Sequence, residues 1–319
     1  MPGLASRLEA IWFGGATPPA FLRLLAAVYA AVLRLRRPFN TERLPAPVLV
    51  VGNFTVGGTG KTPLIIALAE HLRALGYAPG VVSRGYGRRL RQAHSVTPDS
   101  TPEQAGDEPV LIARRAGVPV RVDADRLAAA RFLIEQGCDV IIADDGLQHR
   151  NLPRCGEIEV RDAVRAYGNG RLLPAGPLRE PVRAVDVRVI NGAAADSAEG
   201  YAMTMQLGPC RNLRDGRTRA LDDFRGQALQ AVAGIGNPGR FFDSLRRAGL
   251  DIRPNAFPDH HAFRAQDLPI GTVLLTEKDA VKCADFAHAE VWSVPAEARL
   301  SDAFFARVAA MLPPIRSSR

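Results

Sequence analysis

An α/β fold is predicted, with a mostly parallel sheet carrying helices on both faces and a smaller C-terminal α/β domain after it. Three observations point there. Short apolar runs alternate with amphipathic stretches from about residue 48 onward, as in a sheet wound with helices. The first of these runs, Val48-Leu-Val-Val-Gly-Asn-Phe54, passes straight into a glycine-rich loop that opens a helix. From Gly226 a second, smaller βα pattern begins. At 319 residues the chain is long enough for both parts. Its 47% hydrophobic content excludes general disorder. The expected division is 1–40 as an amphipathic helical region, 41–200 as the core, 201–225 as a hairpin linker and 226–319 as the smaller domain.

Each element has its own justification. Val48–Val51 reads as a buried strand and Pro63–Leu75 as a helix closed by Gly76. Gly80–Ser83, Val118–Val122, Val140–Ala143 and Val185–Ile190 read as further strands. Glu108–Ala116 and Arg126–Gln136 carry helical periodicity. Tyr201–Leu207 alternates like a strand and precedes the polar turn RNLRDG, hence the hairpin. The second pattern runs Leu229–Ala233 strand, Gly239–Ala248 helix, Val273–Leu275 strand, Val291–Val294 strand and Ala303–Leu312 helix.

The formal charge of +8 favours anionic partners such as nucleotides, phospholipids or nucleic acid. Nearly all of the positive charge is arginine. Lysine occurs only at 61, 278 and 282, so each survivor marks a place where a compact ammonium is wanted. Cys138, Cys155, Cys210 and Cys283 form no CxxC pair, which excludes a disulfide framework or zinc site and indicates a reducing compartment. Near the N-terminus, Phe21–Arg37 reads as a helix. Its uncharged stretch, Leu24–Leu33, is about half the roughly 20 residues that a spanning helix needs. Arg23, Arg34, Arg36 and Arg37 bracket it, as in a helix lying among lipid headgroups, where each arginine contributes about 1 kcal/mol. A buried core helix is the competing reading. A signal peptide is disfavoured because basic residues follow the apolar run instead of preceding it.

The chemistry concentrates in a few motifs. In Asn53-Phe-Thr-Val-Gly-Gly-Thr-Gly-Lys-Thr62, the stretch Thr55, Val56, Gly57, Gly58, Thr59, Gly60, Lys61 and Thr62 has the form of a P-loop. Glycines turn backbone N–H groups toward phosphates, Lys61 reaches the β/γ-phosphates and the Thr62 hydroxyl meets Mg²⁺. Thr55 stands where the first glycine of that pattern is usual. The strand Val140-Ile-Ile-Ala-Asp-Asp-Gly146 ends in two carboxylates, one of which would face the metal, with Asp144 and Asp145 both open. In Gly106-Asp-Glu-Pro109, Asp107 reads as a helix cap first and as a general base second. Phe257-Pro-Asp-His-His261 offers paired histidines with no third metal ligand nearby. Leu274-Leu-Thr-Glu-Lys-Asp279 resembles the base-reading NKxD of GTPases, but Lys278 and Asp279 are adjacent, which argues against a GTPase.

Together VGNFTVGGTGKTP, SRGYGR, GDEP, DDGLQHR, PAGPLREP, FPDHH and LTEKDAVKC resemble the tetraacyldisaccharide 4′-kinases of lipid A biosynthesis, in order from about residue 48 to 283. The resemblance implies transfer of the γ-phosphate of ATP, with Mg²⁺, to the 4′-hydroxyl of a tetraacylated glucosamine disaccharide 1-phosphate. It places the enzyme at the cytoplasmic face of a bacterial inner membrane, peripheral or monotopic. The partners it implies are the lipid-linked substrate and an anionic phospholipid surface, with no nucleic acid, and the protein is expected as a monomer. Asp107 would be the catalytic base and His260 its orienting partner, brought across by closure of the second domain. Thr62, Asp145 and Glu180 would lie by the metal. Asn53, Ser83, Arg84, Arg88, Gln148, His149 and Arg179 would serve the substrate and its phosphates, the SRGYGR arginines facing the headgroup. Leu147 departs from the aromatic usual at that position and bears on packing. The rival expectation is a soluble P-loop kinase or ATPase acting on a small cytosolic metabolite.

Overall fold

The computed structural model describes residues 4–35 and 43–314. In chain order the elements begin with α1 (Leu4–Phe13), α2 (Ala20–Leu35), β1 (Val48–Gly52), α3 (Lys61–Ala74), β2 (Pro79–Ser83) and β3 (His94–Val96). They continue with α4 (Pro102–Ala105), α5 (Asp107–Ala116), β4 (Val120–Val122), α6 (Arg126–Glu135), β5 (Val140–Asp144), β6 (Gly156–Asp162), β7 (Val187–Asn191) and β8 (Tyr201–Leu207). The last are β9 (Cys210–Asn212), β10 (Thr218–Arg219), β11 (Leu229–Ala233), α7 (Pro238–Arg247), β12 (Ile252–Ala256), β13 (Thr272–Thr276), α8 (Glu277–Cys283), β14 (Val291–Val294), β15 (Ala296–Arg299) and α9 (Asp302–Ala309).

The chain divides into two compact units, each assembled from separate segments. The first comprises Met1–Lys61, Ile142–Thr204 and Leu300–Arg319. Its strands run in the order β8-β7-β6-β1, with the end of β5 beyond β1. The pairs β1–β6, β6–β7 and β7–β8 are parallel. Every residue of β1 is buried, which suits the unbroken apolar run VLVVG. Near the N-terminus, Leu22 and Ala26 of α2 pack on Ala175, with Leu8 and Ile11 of α1 against them. Phe21, Leu24, Leu25, Val28, Val32 and Leu35 of α2 are left exposed, so the reading of a buried core helix does not hold. No described helix is long and apolar enough to cross a membrane. Of the arginines expected to bracket the helix, Arg36 and Arg37 lie outside the described residues.

The second unit comprises Thr62–Ile141 and Met205–Arg299. Here β2 pairs parallel with β4, and β3 lies antiparallel at its other side. A separate six-stranded sheet has the order β10-β9-β14-β13-β11-β12. Its three pairings from β14 to β12 are parallel, while the hairpin β9–β10, which forms around RNLRDG, joins β14 antiparallel. Alternate residues of these strands feed two cores. Ala231, Leu274 and Trp292 pack with Phe224, Phe241, Phe242 and Leu245. Val232, Val273, Leu275 and Val291 pack with Phe263, Ala280 and Cys283. Thus α7 covers one face and α8 the other, and α8 also packs along α5. That last contact decides where the second set of site residues meets.

Candidate active site

The first set lies in the first unit. From β1 the chain enters the loop 53–60, in which Gly57 and Gly60 take φ of 100° and 95°, a backbone that residues with a Cβ rarely adopt. Asn191, at the end of β7, donates from Nδ2 to the Thr59 carbonyl at 2.8 Å and pins the loop from beneath. Thr55 occupies its position without strain because the chain there is extended. It bridges to Leu178, while the Val56 N–H donates to Pro177 O at 2.9 Å and the Arg179 N–H to Phe54 O at 2.7 Å. The loop and the PAGPLRE segment therefore run as a short paired ribbon, and a glycine there is dispensable.

Lys61 opens α3 and turns back onto the loop. Its Nζ donates to Asn53 Oδ1 at 3.1 Å and lies 3.5 Å from Asp145 Oδ1. Arg179 grips both oxygens of Asp145 with its fork, at 2.8 and 2.9 Å. Burial pushes the Asp145 carboxyl upward, but Lys61 and Arg179 outweigh it and hold it well below the usual carboxylate range. Of Asp144, the last residue of β5, and Asp145, which follows it in left-handed backbone at φ 52°, it is thus Asp145 that meets the lysine. Gln148 Nε2 donates to Glu180 Oε1 at 2.9 Å and to Asn53 O at 3.1 Å. The Gln148 Oε1 atom is buried without a hydrogen-bond partner. His149 is half-buried, with its carbonyl accepting from Arg154. Leu147 is fully buried and comes so close to Gly52 that a Cβ there would sit 2.7 Å from it. The Tyr29 hydroxyl of α2 donates to the Arg179 carbonyl at 2.7 Å, tying the N-terminal helix to this cluster.

A metal fits here. No group of three or more His, Cys, Asp or Glu suited to a metal ion occurs among the described residues. Mg²⁺ does not require one, because it is held through one or two carboxylates plus phosphate oxygens and water. Asp145, the buried Glu180 and the unpartnered Gln148 carbonyl oxygen supply the hard oxygen donors; Thr62 is the second residue of α3.

The second set lies in the second unit. Asp107 is the first residue of α5, and the N-cap is Gly106, so the cap reading is corrected. Asp107 Oδ1 accepts the Glu108 N–H at 3.0 Å, while Oδ2 lies 3.1 Å from His260 Nδ1. The two residues, 153 positions apart, already sit within one compact unit, so no closure is needed to bring His260 to Asp107. Asp107 is only 5% exposed. Burial pushes its carboxyl upward, yet the His260 hydrogen bond, then Lys278 and Lys282, more than reverse this and leave it lowered. The same hydrogen bond raises His260 above the ordinary imidazole value against the effect of burial. His260 holds left-handed backbone at φ 58°, an uncommon state for a histidine that the surrounding contacts must maintain.

The SRGYGR loop is fitted to this pair by glycine. A Cβ on Gly85 would lie 2.4 Å from Ala105 O, and one on Gly106 would lie 2.8 Å from Tyr86 O. Only this close approach lays the exposed Tyr86 ring against His260, with ring centroids 4.8 Å apart. Ser83 is buried at the end of β2 and its Oγ accepts the Gly85 N–H at 3.4 Å. Arg84 is exposed. The Arg88 guanidinium donates to the carbonyls of Gln92, Val122 and Arg91, where it braces the loop. His261, the other histidine of the motif, stacks on Phe257 and bonds Asp267 at 3.1 Å, away from Asp107. The residues that sequence reasoning passed over are Asn191, Lys278 and Lys282. The scarcity of lysine was the one available signal for the last two.

A glycine-rich loop with its lysine, mounted on a parallel sheet, defines an α/β protein of the P-loop nucleotide-binding class. The family profile described as tetraacyldisaccharide-1-P 4′-kinase matches residues 19–313, and the chain belongs to that family. A tetraacyldisaccharide 4′-kinase of Stenotrophomonas maltophilia (strain R551-3) is 49% identical over an alignment 337 positions long, gaps included, covering 99% of both chains. One from Xylella fastidiosa (strain M23) is 46% identical, covering 95% of each. Among solved structures, the "apo" form of LpxK from Aquifex aeolicus in complex with ATP is similar at a TM-score of 0.74 and 27% identity, covering 91% of this chain and 98% of that one.

Proposed function

We propose that this chain transfers the γ-phosphate of ATP to the 4′-hydroxyl of a tetraacylated glucosamine disaccharide 1-phosphate at a lipid surface. The observation that carries the reading is Lys61 folded back over the glycine loop beside Asp145, in a chain of this family. The loop amides and Lys61 bind the triphosphate, and Arg179 keeps Asp145 in place. Asp145, Glu180, Gln148 and Thr62 would hold Mg²⁺, which when bound supplies charge neutralisation at the phosphates. Asn53 aligns the lysine, and Arg84 and His149 serve the acceptor or its phosphates, while Ser83 and Arg88, expected to do the same, brace the loop that presents Arg84.

Asp107 accepts the proton of the attacking hydroxyl. The new bond joins the 4′-oxygen to the γ-phosphorus, the bond from that phosphorus to the β–γ bridging oxygen breaks, ADP leaves and the proton resides on Asp107. His260 orients the carboxylate throughout, through Nδ1. Most of the acceleration comes from positioning and charge, as phosphoryl transfer demands.

The exposed apolar stripe of α2 recurs at helical spacing from Phe21 to Leu35, flanked by exposed Arg23 and Arg34, and suits a helix lying on anionic lipid at the cytoplasmic face of the inner membrane. On this reading the N-terminal 1–40 region serves the membrane, the stretch 41–200 carries both the nucleotide loop and Asp107, and the stretch 226–319, beyond the linker at 201–225, supplies His260. The decisive experiment is transfer of radiolabel from γ-labelled ATP to purified disaccharide 1-phosphate in mixed micelles. Label entering the lipid supports the kinase. ATP consumed at one rate with or without the lipid, and no lipid label, overturns it in favour of an ATPase.

A further inference from the structure

The LTEKDAVKC segment forms the end of β13 and the whole of α8, and it places both remaining lysines at Asp107. Lys278 and Lys282 stand one turn apart on α8, so they share a face, and that face meets α5. Lys278 Nζ lies 3.0 Å from Glu108 Oε1, 3.3 Å from Asp259 Oδ1, 3.5 Å from His260 Nε2 and 4.0 Å from Asp107 Oδ2. Lys282 Nζ lies 3.8 Å from the same Asp107 oxygen and 2.7 Å from Asp279 Oδ1. Asp279 is itself fixed, since its Oδ2 accepts the Gly234 N–H at 2.8 Å and the Thr276 hydroxyl at 2.6 Å. A single Asp107 oxygen therefore faces one imidazole and two ammonium groups.

We propose that Lys278 is a positioning residue for phosphoryl transfer: its ammonium ties Glu108 on α5 to Asp259 and His260 on the facing loop, and so holds Asp107 ionised and hydrogen-bonded to His260, with Lys282 closing the other side. The proposal rests on the reading of Asp107 as the base. A compact ammonium with three divergent N–H donors fits this arrangement of partners, whereas a planar guanidinium fork does not, which explains a lysine in a chain that otherwise uses arginine. The tether also answers two costs visible in the geometry. Asp107 is buried, where an uncompensated carboxylate would take up a proton and cease to be a base. His260 holds an uncommon backbone conformation that something must maintain. The other charged groups on elements packed against α5 are engaged elsewhere. His94 on β3 bonds Ser100, Arg121 on β4 bonds Ser95, and Glu277 on α8 pairs with Arg115 of α5. Glu103 belongs to α4 and Arg114 to α5 itself, where it bonds Pro98 O.

The test compares Lys278→Met, Lys278→Arg and Asp107→Asn in the micelle assay across pH. Lys278→Met is expected to lower kcat by roughly 10- to 100-fold with the KM for ATP unchanged. With one ammonium gone the Asp107 pKa rises, so the acid limb of kcat/KM moves to higher pH. Lys278→Arg keeps the charge and returns the limb toward its original place, but its planar fork does not meet all three partners, so kcat stays lowered. A limb that stays put in Lys278→Met, or an undiminished kcat, overturns the proposal, because a purely structural lysine would leave the limb where it is. Asp107→Asn separates the two ideas. If it leaves turnover near wild type, the base reading itself fails. If it lowers turnover while Lys278→Met behaves as wild type, only the role of Lys278 fails. Should Lys278→Met fail to fold by thermal melt, Asp259→Asn removes one arm of the tether and keeps the ammonium. It is expected to lower kcat severalfold, and an undiminished kcat overturns the proposal.

Discussion

The Lys61 cradle and the Asp107 cluster each set an ammonium against an aspartate, yet they are built in opposite ways. In the cradle, Asn53, the glycines and Lys61 come from one short stretch, and the strand, loop and helix start dictate the geometry. Asp145 is then held by a two-pronged arginine fork from a rigid proline-bounded segment. In the cluster, Asp107, Asp259, His260, Lys278 and Lys282 arrive from three separate stretches, and they meet because α8 packs on α5. The first arrangement binds a ligand by local backbone conformation. The second tunes a buried acid by long-range packing. On the proposed reading, local order serves the grip on polyphosphate, since phosphates are recognised by main-chain N–H groups, and tertiary order serves the base, since its pKa depends on what surrounds it.

Substitutions can break or sharpen this contrast. The largest effect is expected in the cradle. Lys61→Met should lower kcat/KM by roughly 10³-fold or more, read as label transfer in mixed micelles, with weakened Mg·ATP binding by calorimetry. Intact catalysis there would remove the cradle from the account. In the cluster, Asp107→Asn should reduce turnover by roughly 10²–10⁴ while sparing ATP affinity, because this carboxylate acts on the acceptor. Nucleotide binding that falls with turnover would erase the division of labour between the two regions. His260→Ala should match Asp107→Asn, and the double variant should be scarcely worse than either single one. Losses that multiply instead would show two independent roles.

Acidity offers a subtler comparison. Asp107 has its pKa lowered and His260 has its pKa raised by their shared hydrogen bond, so activity should persist below the ordinary imidazole range and fall only as acid reaches the carboxylate. In a pH profile of kcat/KM, His260→Asn removes the hydrogen bond and one positive neighbour, and should move the acid limb upward. An unmoved limb would uncouple the two residues. The smallest catalytic effect is expected from Leu24→Glu with Val28→Glu on the exposed stripe of α2. Each apolar side chain buried in lipid contributes about 1.5–3 kcal/mol, so the pair should abolish co-sedimentation with anionic phosphatidylglycerol vesicles and leave Mg·ATP binding unchanged. Undiminished sedimentation would remove the stripe as a membrane contact.

Sequence by itself determined the elements that announce themselves locally. The apolar runs of β1, β2 and β5 appear as read, because a strand buried on both faces must be apolar throughout. The glycine loop and the start of α3 follow from backbone requirements that only glycine meets. By contrast, β6 went unread, since GEIEVRD looks too charged for a buried strand. Glu159 is nevertheless 1% exposed, because the Tyr167 hydroxyl and the Arg188 guanidinium satisfy it from other parts of the chain. Neither β12 nor α8 carried an apolar signature of its own: β12 is an edge strand with most of its residues open to solvent, and α8 turns its charged residues onto partners in α5 and its neighbours.

The site divides along the same line. Lys61 and Thr62 could be assigned from spacing, and Asp107 and His260 from a resemblance. Which oxygen meets which nitrogen, that Asp145 and not Asp144 meets Lys61, and that two isolated lysines gather at one carboxylate were decided by the tertiary structure alone. The physical reason is range. Torsional preference and period act over a few residues and are written in the order of the chain, whereas desolvation and the field of neighbouring charges act through space and exist only once helix has packed on helix.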